Sequence, residues 1–539
     1  MATQDYWAEA PMNRQQSVLF GPTLDSIISE DDPVRLFDEV LAGLDWSGWE
    51  AHYDGTRGQP PIHPRFLCAS LVYGLCRGIR SSRKLEEACR YRLDFMWLLE
   101  GRRIDHTTLA KFRTRFAEPL KGLFQQIGRV AMTLGLIRLG EVAFDGTRVK
   151  ADNSRFRCRT AKTLEEKLQA LDKLFEEMMA EAEAADAAEA AEASQSTSDG
   201  DDGNSPTQLP GPLADLKLRR ERVREALSNA QEADATRSKR GVDPQTHPAR
   251  VPTTDLDSRV MPNKEGGYAP NYTPTATTDG HRGFIVDCEV LAKVNETQEA
   301  TASVDRIEET FGQKPAKFLT DGGNNSGAVM QGMEARGVDF YAPAAVNQPQ
   351  TGHPAKRDDP RQPIPTSQWP ELPRNKAGRL HNSCFVYDAQ ADQYSCPQGK
   401  PLPFIRTKSY VRDGVCKISR IYRCKSCKDC LLAKVCYERL SHSGRTISRD
   451  AYEDLREQTA TRMSSDAGQR LYQKRAHIAE TPFGTLKATF GLRRFLLRGL
   501  PKVKTEWRWA ATAFNLGKLV REIARLRAEC APAGVQLQG

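Results

Sequence analysis

Three acidic residues occupy positions where carboxylates could do chemistry. In "GEVAFDGTRVKADNS" (140–154) Asp145 follows the apolar Val142, Ala143 and Phe144 and precedes Gly146, and Asp321 holds the matching place in "AKFLTDGGNNSG" (316–327). Both read as side chains at C-terminal strand ends, where ligand sites form in open sheets containing parallel strands. Two carboxylates on neighbouring strand ends repel unless cations hold them together. Mg2+ or Mn2+ takes such oxygen donors and leaves positions open for water and phosphate oxygens. A third acid, Glu480 in "ETPFGTLKATFGLRR", lies about two helical turns before Lys487, so both project from one helix face. Lys487, Arg493, Arg494 and Arg498 can neutralise a phosphate backbone. Two divalent ions about 4 Å apart would suit in-line displacement at phosphorus. Taken singly, each acid has a plainer reading, an Asp-Gly turn or a first-turn helix Glu. Together, two strand-end Asp residues and a Glu on a basic helix favour phosphoryl transfer on nucleic acid.

A second cluster is built of thiols. Cys424, Cys427, Cys430 and Cys436 fall in "YRCKSCKDCLLAKVCY", and Cys396 lies upstream in "YSCPQGK". A C-x2-C-x5-C run plus a distant Cys can supply four thiolates to a structural Zn2+. The preferred set is Cys396, Cys427, Cys430 and Cys436, with Cys424 as the substitute ligand. Uncoordinated thiols are the plainer alternative, and an iron–sulfur centre lacks the x3-C-P that would complete its motif. Cys68, Cys76 and Cys89 sit on apolar helix faces and read as core.

The elements that must position these groups alternate in character. A helical N-terminal domain (1–135) is expected, with a helix capped by Ser81 or Ser82 and another beginning after Asp105. Lys111, Arg113 and Arg115 on that last helix suit DNA contact, and a dimerisation or packing domain with a solvated basic face is the bland alternative. The first part of a core follows (136–160), then a helical hairpin with a polar, flexible tip (161–240) that serves as an arm or as a spacer. Strand-rich segments divided by a helix form the second part of the core (241–345), giving an α/β fold with a mixed sheet. An insertion with the Cys-rich module (346–450) and a helical, basic segment carrying Glu480 (451–530) complete the chain. Trp507 and Trp509 read as core anchors and Asp279 as a strand-turn residue.

Composition sets the outer limits. The 539 residues allow several domains, and no apolar run approaches the roughly 18 residues of a membrane helix. The start has no basic region followed by an apolar stretch, so the protein is expected to remain in the cytoplasm. Net charge is +8, with the basic residues concentrated near the end, which favours an anionic partner. A phosphate-binding loop ending in Lys-Ser/Thr is absent, so ATP dependence has no support.

The order of helical domain, "VAFDGT", helical insertion, "FLTDGG", cysteine-bearing insertion and "AETPFGTLKATFGLRRFLLRGLPKVKTEWRWAATAFNLGKL" resembles bacterial insertion-sequence transposases of the DDE class. The likeness runs from roughly residue 15 to 520 and is most specific over 480–518. It implies an RNase H-like core interrupted by insertions. It also implies an enzyme that binds the inverted-repeat ends of its element in double-stranded DNA, frees a 3′-OH and joins it to target DNA, as a homodimer. On this resemblance Asp145, Asp321 and Glu480 match the metal-binding triad and Lys487 a residue contacting the transposon end. Arg475 lies near the family's arginine before the Glu, and the zinc set agrees with cysteines common in the family's insertion. The chain departs from the pattern at Asn324 and Asn325, where an aromatic residue is usual, and at Thr273 and Pro274, where apolar residues are. Two alternatives stay open: an inactive, DNA-binding descendant, and a metal-dependent nuclease that cuts without joining.

Overall fold

The computed structural model describes residues 21, 23–53, 61–193, 211–263, 266–294, 296–343, 352–412, 415–437 and 444–530. Two compact units result, one from 1–126 with 512–539, the other from 127–511. The first unit is helical. Its helices include α1 (Pro33–Ala42), α2 (Pro64–Cys76), α3 (Ser82–Tyr91), α4 (Leu93–Leu98) and α5 (His106–Arg115). Proline at N1 starts α1 and α2, where its missing N–H costs nothing. Asp105 caps α5 by accepting the Thr107 and Thr108 N–H groups at 2.8 and 2.9 Å. Ser81 stands at the N-cap of α3, yet its side chain makes no capping bond. Trp49 is buried and stacks on Phe112 at 5.3 Å. Cys68 and Cys89 are core residues, while Cys76 is only partly covered.

The second unit is built around a mixed sheet. Its main strands are β1 (Glu141–Gly146), β2 (Val149–Lys150), β3 (Arg259–Pro262), β4 (Tyr268–Asp279), β5 (Ile285–Leu291), β6 (Lys317–Leu319) and β7 (Asp339–Tyr341). Five run in the order β5-β4-β1-β6-β7; β1, β4 and β5 are antiparallel neighbours, and β1, β6 and β7 are parallel. This is the RNase H-like arrangement, and the whole is mixed α/β. Val142, Ala143 and Phe144 are all fully buried, which explains an apolar run without alternation: both faces of the strand are covered. The parallel pairs need crossovers, supplied by α8 (Glu299–Phe311) before β6 and α9 (Gly327–Ala335) before β7.

The long strand β4 carries threonines where apolar residues would be usual, and their hydroxyls are bonded. Thr273 donates to the Lys293 carbonyl at 2.6 Å, Thr275 to the Glu289 carbonyl at 3.3 Å, and Thr277 pairs with Ser303. Pro274 keeps its place opposite Val290, and its carbonyl accepts the Thr147 N–H at 2.9 Å. Asp279 is buried and accepts the N–H groups of Arg138, Leu139 and His281, so it holds a turn.

Two insertions interrupt the sheet. Helices α6 (Ala161–Ala193) and α7 (Gly211–Ser238) pair through Leu164, Leu171, Leu216, Val223 and Ala226; the polar tip expected between them lies outside the described residues. The second insertion is a five-stranded antiparallel sheet of β8 (Val386–Asp388), β9 (Gln393–Ser395), β10 (Pro401–Arg412), β11 (Val415–Arg423) and β12 (Thr446–Asp450). The chain then returns through α10 (Glu453–Ser464), α11 (Asp466–Gln473), α12 (Arg475–Ala488) and α13 (Leu500–Cys530). Among the described residues no helix is long and apolar enough to cross a membrane.

Candidate active site

Register brings the two aspartates level. β1 and β6 pair Ala143 with Leu319, and Asp145 and Asp321 each lie two residues further on. With neighbouring strands about 4.8 Å apart, the two Cα atoms come side by side. Side chains alternate along a strand, so Asp145 shares a face with Ala143, two residues before it. Ala143 and Leu319 pack together with Tyr341, Ile478 and Ala479, the last two on α12. Asp145 therefore faces the side of the sheet that α12 covers, and Asp321, two residues past the end of β6, lies close enough to Tyr472 on that side to act on its phenol.

Helix α12 runs across this site. Near its start Arg475 lies 3.4 Å from the Asp145 carboxylate, with only 13% of its side chain exposed. Near its end the Lys487 ammonium donates to the Thr147 hydroxyl, two residues past Asp145. Glu480 sits between them, about 7 Å along the axis from Arg475 and about 10 Å from Lys487, and is exposed. Glu480, whose plainer reading is a first-turn helix residue, lies inside the helix instead, as does Pro482. The helix begins five residues before Glu480 because the buried Ile478 and Ala479 anchor it on the sheet.

Tyr472 on α11 closes the other side. Its hydroxyl donates to the Thr320 carbonyl at 3.2 Å. Burial raises its pKa; the Arg475 guanidinium opposes that rise, and the Asp321 and Asp145 carboxylates add to it. The phenol thus senses both aspartates.

Asn324, at a position that departs from the resembled family, supports Asp321. Its amide donates to the Thr320 hydroxyl at 2.9 Å and to the Asp321 carboxylate at 3.1 Å, and the Gly323 N–H adds a third bond at 3.0 Å. Asn325 ties the turn to the Pro343 carbonyl at 2.8 Å. Substituting Asn324→Ala is expected to weaken divalent-ion affinity about 10–100-fold by freeing the carboxylate. Mn2+ titration followed by electron paramagnetic resonance measures this, and an unchanged affinity would remove Asn324 from the site.

Glu296 is a site residue the sequence does not announce. A Cβ on Gly146 would fall 2.1 Å from its carboxylate, so glycine is required there for Glu296 to lie against the strand end. Its charge is partly met by Arg148 at 3.6 Å, and the next residue, Thr297, donates to the Gly323 carbonyl at 3.3 Å. The loop after β5 thereby spans both aspartate turns.

The basic residues divide by location. Arg493 and Arg494 are exposed on a segment hydrogen-bonded to Lys150 of β2, the Lys150 N–H donating to Arg493 at 3.2 Å and Phe495 donating back at 2.8 Å. Arg498 is tied to Asp152 at 2.8 Å. The buried Glu506 fixes this segment by accepting the Leu496 and Leu497 N–H groups. In the helical unit Lys111 is exposed, whereas Arg113 donates to the Arg80 carbonyl at 2.9 Å.

Five thiols line one cavity: Cys396, Cys424, Cys427, Cys430 and Cys436, with Arg445 beside them. The Cys396 sulfur receives the Gln398 and Lys400 N–H groups at 3.3 Å, and Cys427 receives that of Arg445 at 3.5 Å. A hydrogen bond from the Cys424 thiol is the largest influence lowering the Cys396 pKa, and the same bond raises that of Cys424. Gly444, at φ +79°, lets the backbone pass here, since a Cβ would meet the Cys424 carbonyl at 2.3 Å. Cys424, named above only as a substitute ligand, is thus in direct contact with Cys396. Among the described residues no three His, Cys, Asp or Glu side chains are disposed as a metal-ion ligand set, either here or around Asp145.

Comparison with protein families gives two matches. Residues 395–520 match a model described as "Transposase DDE domain", and residues 22–115 match "Transposase domain (DUF772)". The first match contains Glu480, Lys487 and the five cavity cysteines; the second contains the helical unit as far as α5. No curated protein matches the chain.

Proposed function

Since the chain is an insertion-sequence transposase of the DDE class, we propose that it binds the inverted-repeat ends of its element, cuts there and joins the freed ends to target DNA. The observation that supports this best is the level placement of Asp145 and Asp321 on adjacent parallel strand ends, with Asp145 facing the helix that carries Glu480. Hard carboxylate oxygens fit Mg2+ or Mn2+. Divalent ions bound by the three acids would activate the attacking oxygen and stabilise the leaving one.

The chain's own groups account for the rest. Asp145, Asp321 and Glu480 would supply the negative charge to hold the ions, and Asn324 and the Gly323 N–H orient Asp321. Lys487, Arg493 and Arg494 neutralise backbone phosphates beside the cut. In hydrolysis, water adds to phosphorus as the bond to the 3′ oxygen breaks, leaving a 3′-OH and a 5′-phosphate. In joining, that 3′ oxygen adds to a target phosphorus, displaces the target's own 3′ oxygen and gives up its proton. Bonds made equal bonds broken, so no nucleotide is consumed. Two ends must be processed together, which calls for a homodimer on DNA, acting in the cytoplasm where a bacterial chromosome lies.

The experiment is incubation of the full chain with duplex bearing the element's ends, a target plasmid and Mg2+. Cleaved ends with 3′-OH groups and joined products are expected, both lost on chelation. Cleavage without joined products would leave a nuclease, and binding without cleavage would leave an inactive DNA-binding descendant.

For the second cluster we infer a structural Zn2+ held by Cys396, Cys427, Cys430 and Cys436, with Cys424 able to substitute. The N–H groups aimed at the Cys396 and Cys427 sulfurs support this, because such bonds favour thiolates. Purified protein is expected to carry about one equivalent of zinc per chain, and Cys427→Ser to lose it and melt at lower temperature. Metal-free protein that melts like the zinc-loaded form would show the cysteines to be plain core thiols.

A further inference from the structure

The hairpin of β10 and β11 reaches beyond the sheet that holds its base. β9 pairs with β10 only along Pro401–Pro403, and β12 pairs with β11 only along Ser419–Arg423. From Arg406 to Arg412, opposite Val415–Ile421, the strands pair with each other for about 20 Å, and over most of that length no strand among the described residues pairs with their outer edges. Arg406, Thr407, Lys408, Ser409, Tyr410, Val411, Lys417 and Ile418 are all exposed. Val411 and Ile418 are 73% and 59% exposed, an arrangement that burial does not reward.

Charge gives this ribbon a side. Residues 404–423 contain six Lys or Arg and one acid, Asp413. Strand alternation and the pairing of Tyr410 with Lys417 put Arg406, Lys408, Tyr410 and Lys417 on one face. The other face presents Thr407, Ser409, Val411 and Ile418. On the cationic face Lys408 lies 6.0 Å from the Tyr410 ring, and the acid facing Lys417 is Asp450, itself paired with Arg456. Arg406 and Lys408 have no carboxylate partner among the described residues. Such a ribbon matches the dimensions of a major groove, about 12 Å wide, which admits two paired strands.

We propose that the cationic face of this ribbon docks on the phosphate backbone of duplex DNA, as a contact separate from the carboxylate site. The proposal rests on the reading that the chain acts on DNA. Lys and Arg on phosphates contribute affinity that falls with salt, without sequence choice.

The test uses the full chain, a duplex of arbitrary sequence and a series of salt concentrations. The variant Arg406→Gln/Lys408→Gln/Lys417→Gln should lose at least tenfold in affinity near 0.1 M salt. Its slope of log affinity against log salt should become shallower by roughly two to three, since each phosphate contact contributes about 0.9. Thr407→Ala/Ser409→Ala, on the opposite face, should change neither. Lys408→Glu, one change at an exposed position, should act in the same direction as the triple variant and guards against misfolding in it. A wild-type slope retained by both charge variants overturns the proposal while leaving the transposase reading intact. Wild-type protein without salt-dependent duplex binding sinks that reading itself. A change in sedimentation mass in the triple variant without DNA would make this face a contact between copies of the chain, which also overturns it.

Discussion

Asp145→Asn should abolish Mg2+-dependent strand cleavage, lowering the rate by more than about a thousandfold, while the protein still folds. The amide keeps the volume of the carboxylate but removes the charge that holds a divalent ion. Deleting even one preorganised electrostatic contact at a reacting centre costs about 10²–10³ in rate, and an ion ligand contributes more. The change also removes the partner of Arg475, 3.4 Å away and mostly buried. Leaving that guanidinium uncompensated should cost about 1–3 kcal/mol of stability. Nicking of end-bearing duplex and a thermal melt separate the two effects. Cleavage within tenfold of wild type would remove Asp145 from the chemistry.

The largest stability effect should come from a residue that touches no DNA. Trp507→Ala is expected to destabilise the core by about 3–5 kcal/mol. Trp507 is 1% exposed, its indole N–H donates to the Thr275 carbonyl at 3.0 Å, and its ring stacks on Phe483 of α12 at 6.1 Å. It thus joins α13, β4 and the helix carrying Glu480, so the loss should be felt in cleavage as well as in melting. Denaturant unfolding measures the first, and a loss under 1 kcal/mol would mean that other contacts hold α12 in place.

Much of this arrangement is legible in the sequence for simple reasons. Val142 to Phe144 and Phe318 to Leu319 are short apolar runs ending in Asp-Gly, so both the strands and the acids at their ends show. The parallel pairing that sets them level follows from the helix between them. Trp507 and Trp509 read as core anchors because a large indole on a helix favours burial, and both are buried. Glu296 escapes notice because it follows β5 by a short polar loop, where an acid looks like solvated surface; only the approach to Gly146 betrays it. Asn324 and Asn325 look like defects in a motif, whereas hydrogen bonding makes them supports for Asp321 and its turn. The first-turn reading of Glu480 fails because tertiary burial of Ile478 and Ala479 extends the helix ahead of it. The contact of Cys424 with Cys396 depends on the β-sheet between them, which spacing alone does not encode.

The sharing of divalent ions by Asp145, Asp321 and Glu480 can be observed by soaking crystals of the full chain in Mn2+ and recording anomalous scattering. Density is expected between the Asp145 and Asp321 carboxylates, with Arg475 displaced from Asp145 and Glu480 drawn in, and it should be absent in Asp321→Asn. Mn2+ bound elsewhere, at concentrations that support cleavage, with Arg475 still on Asp145, would contradict it.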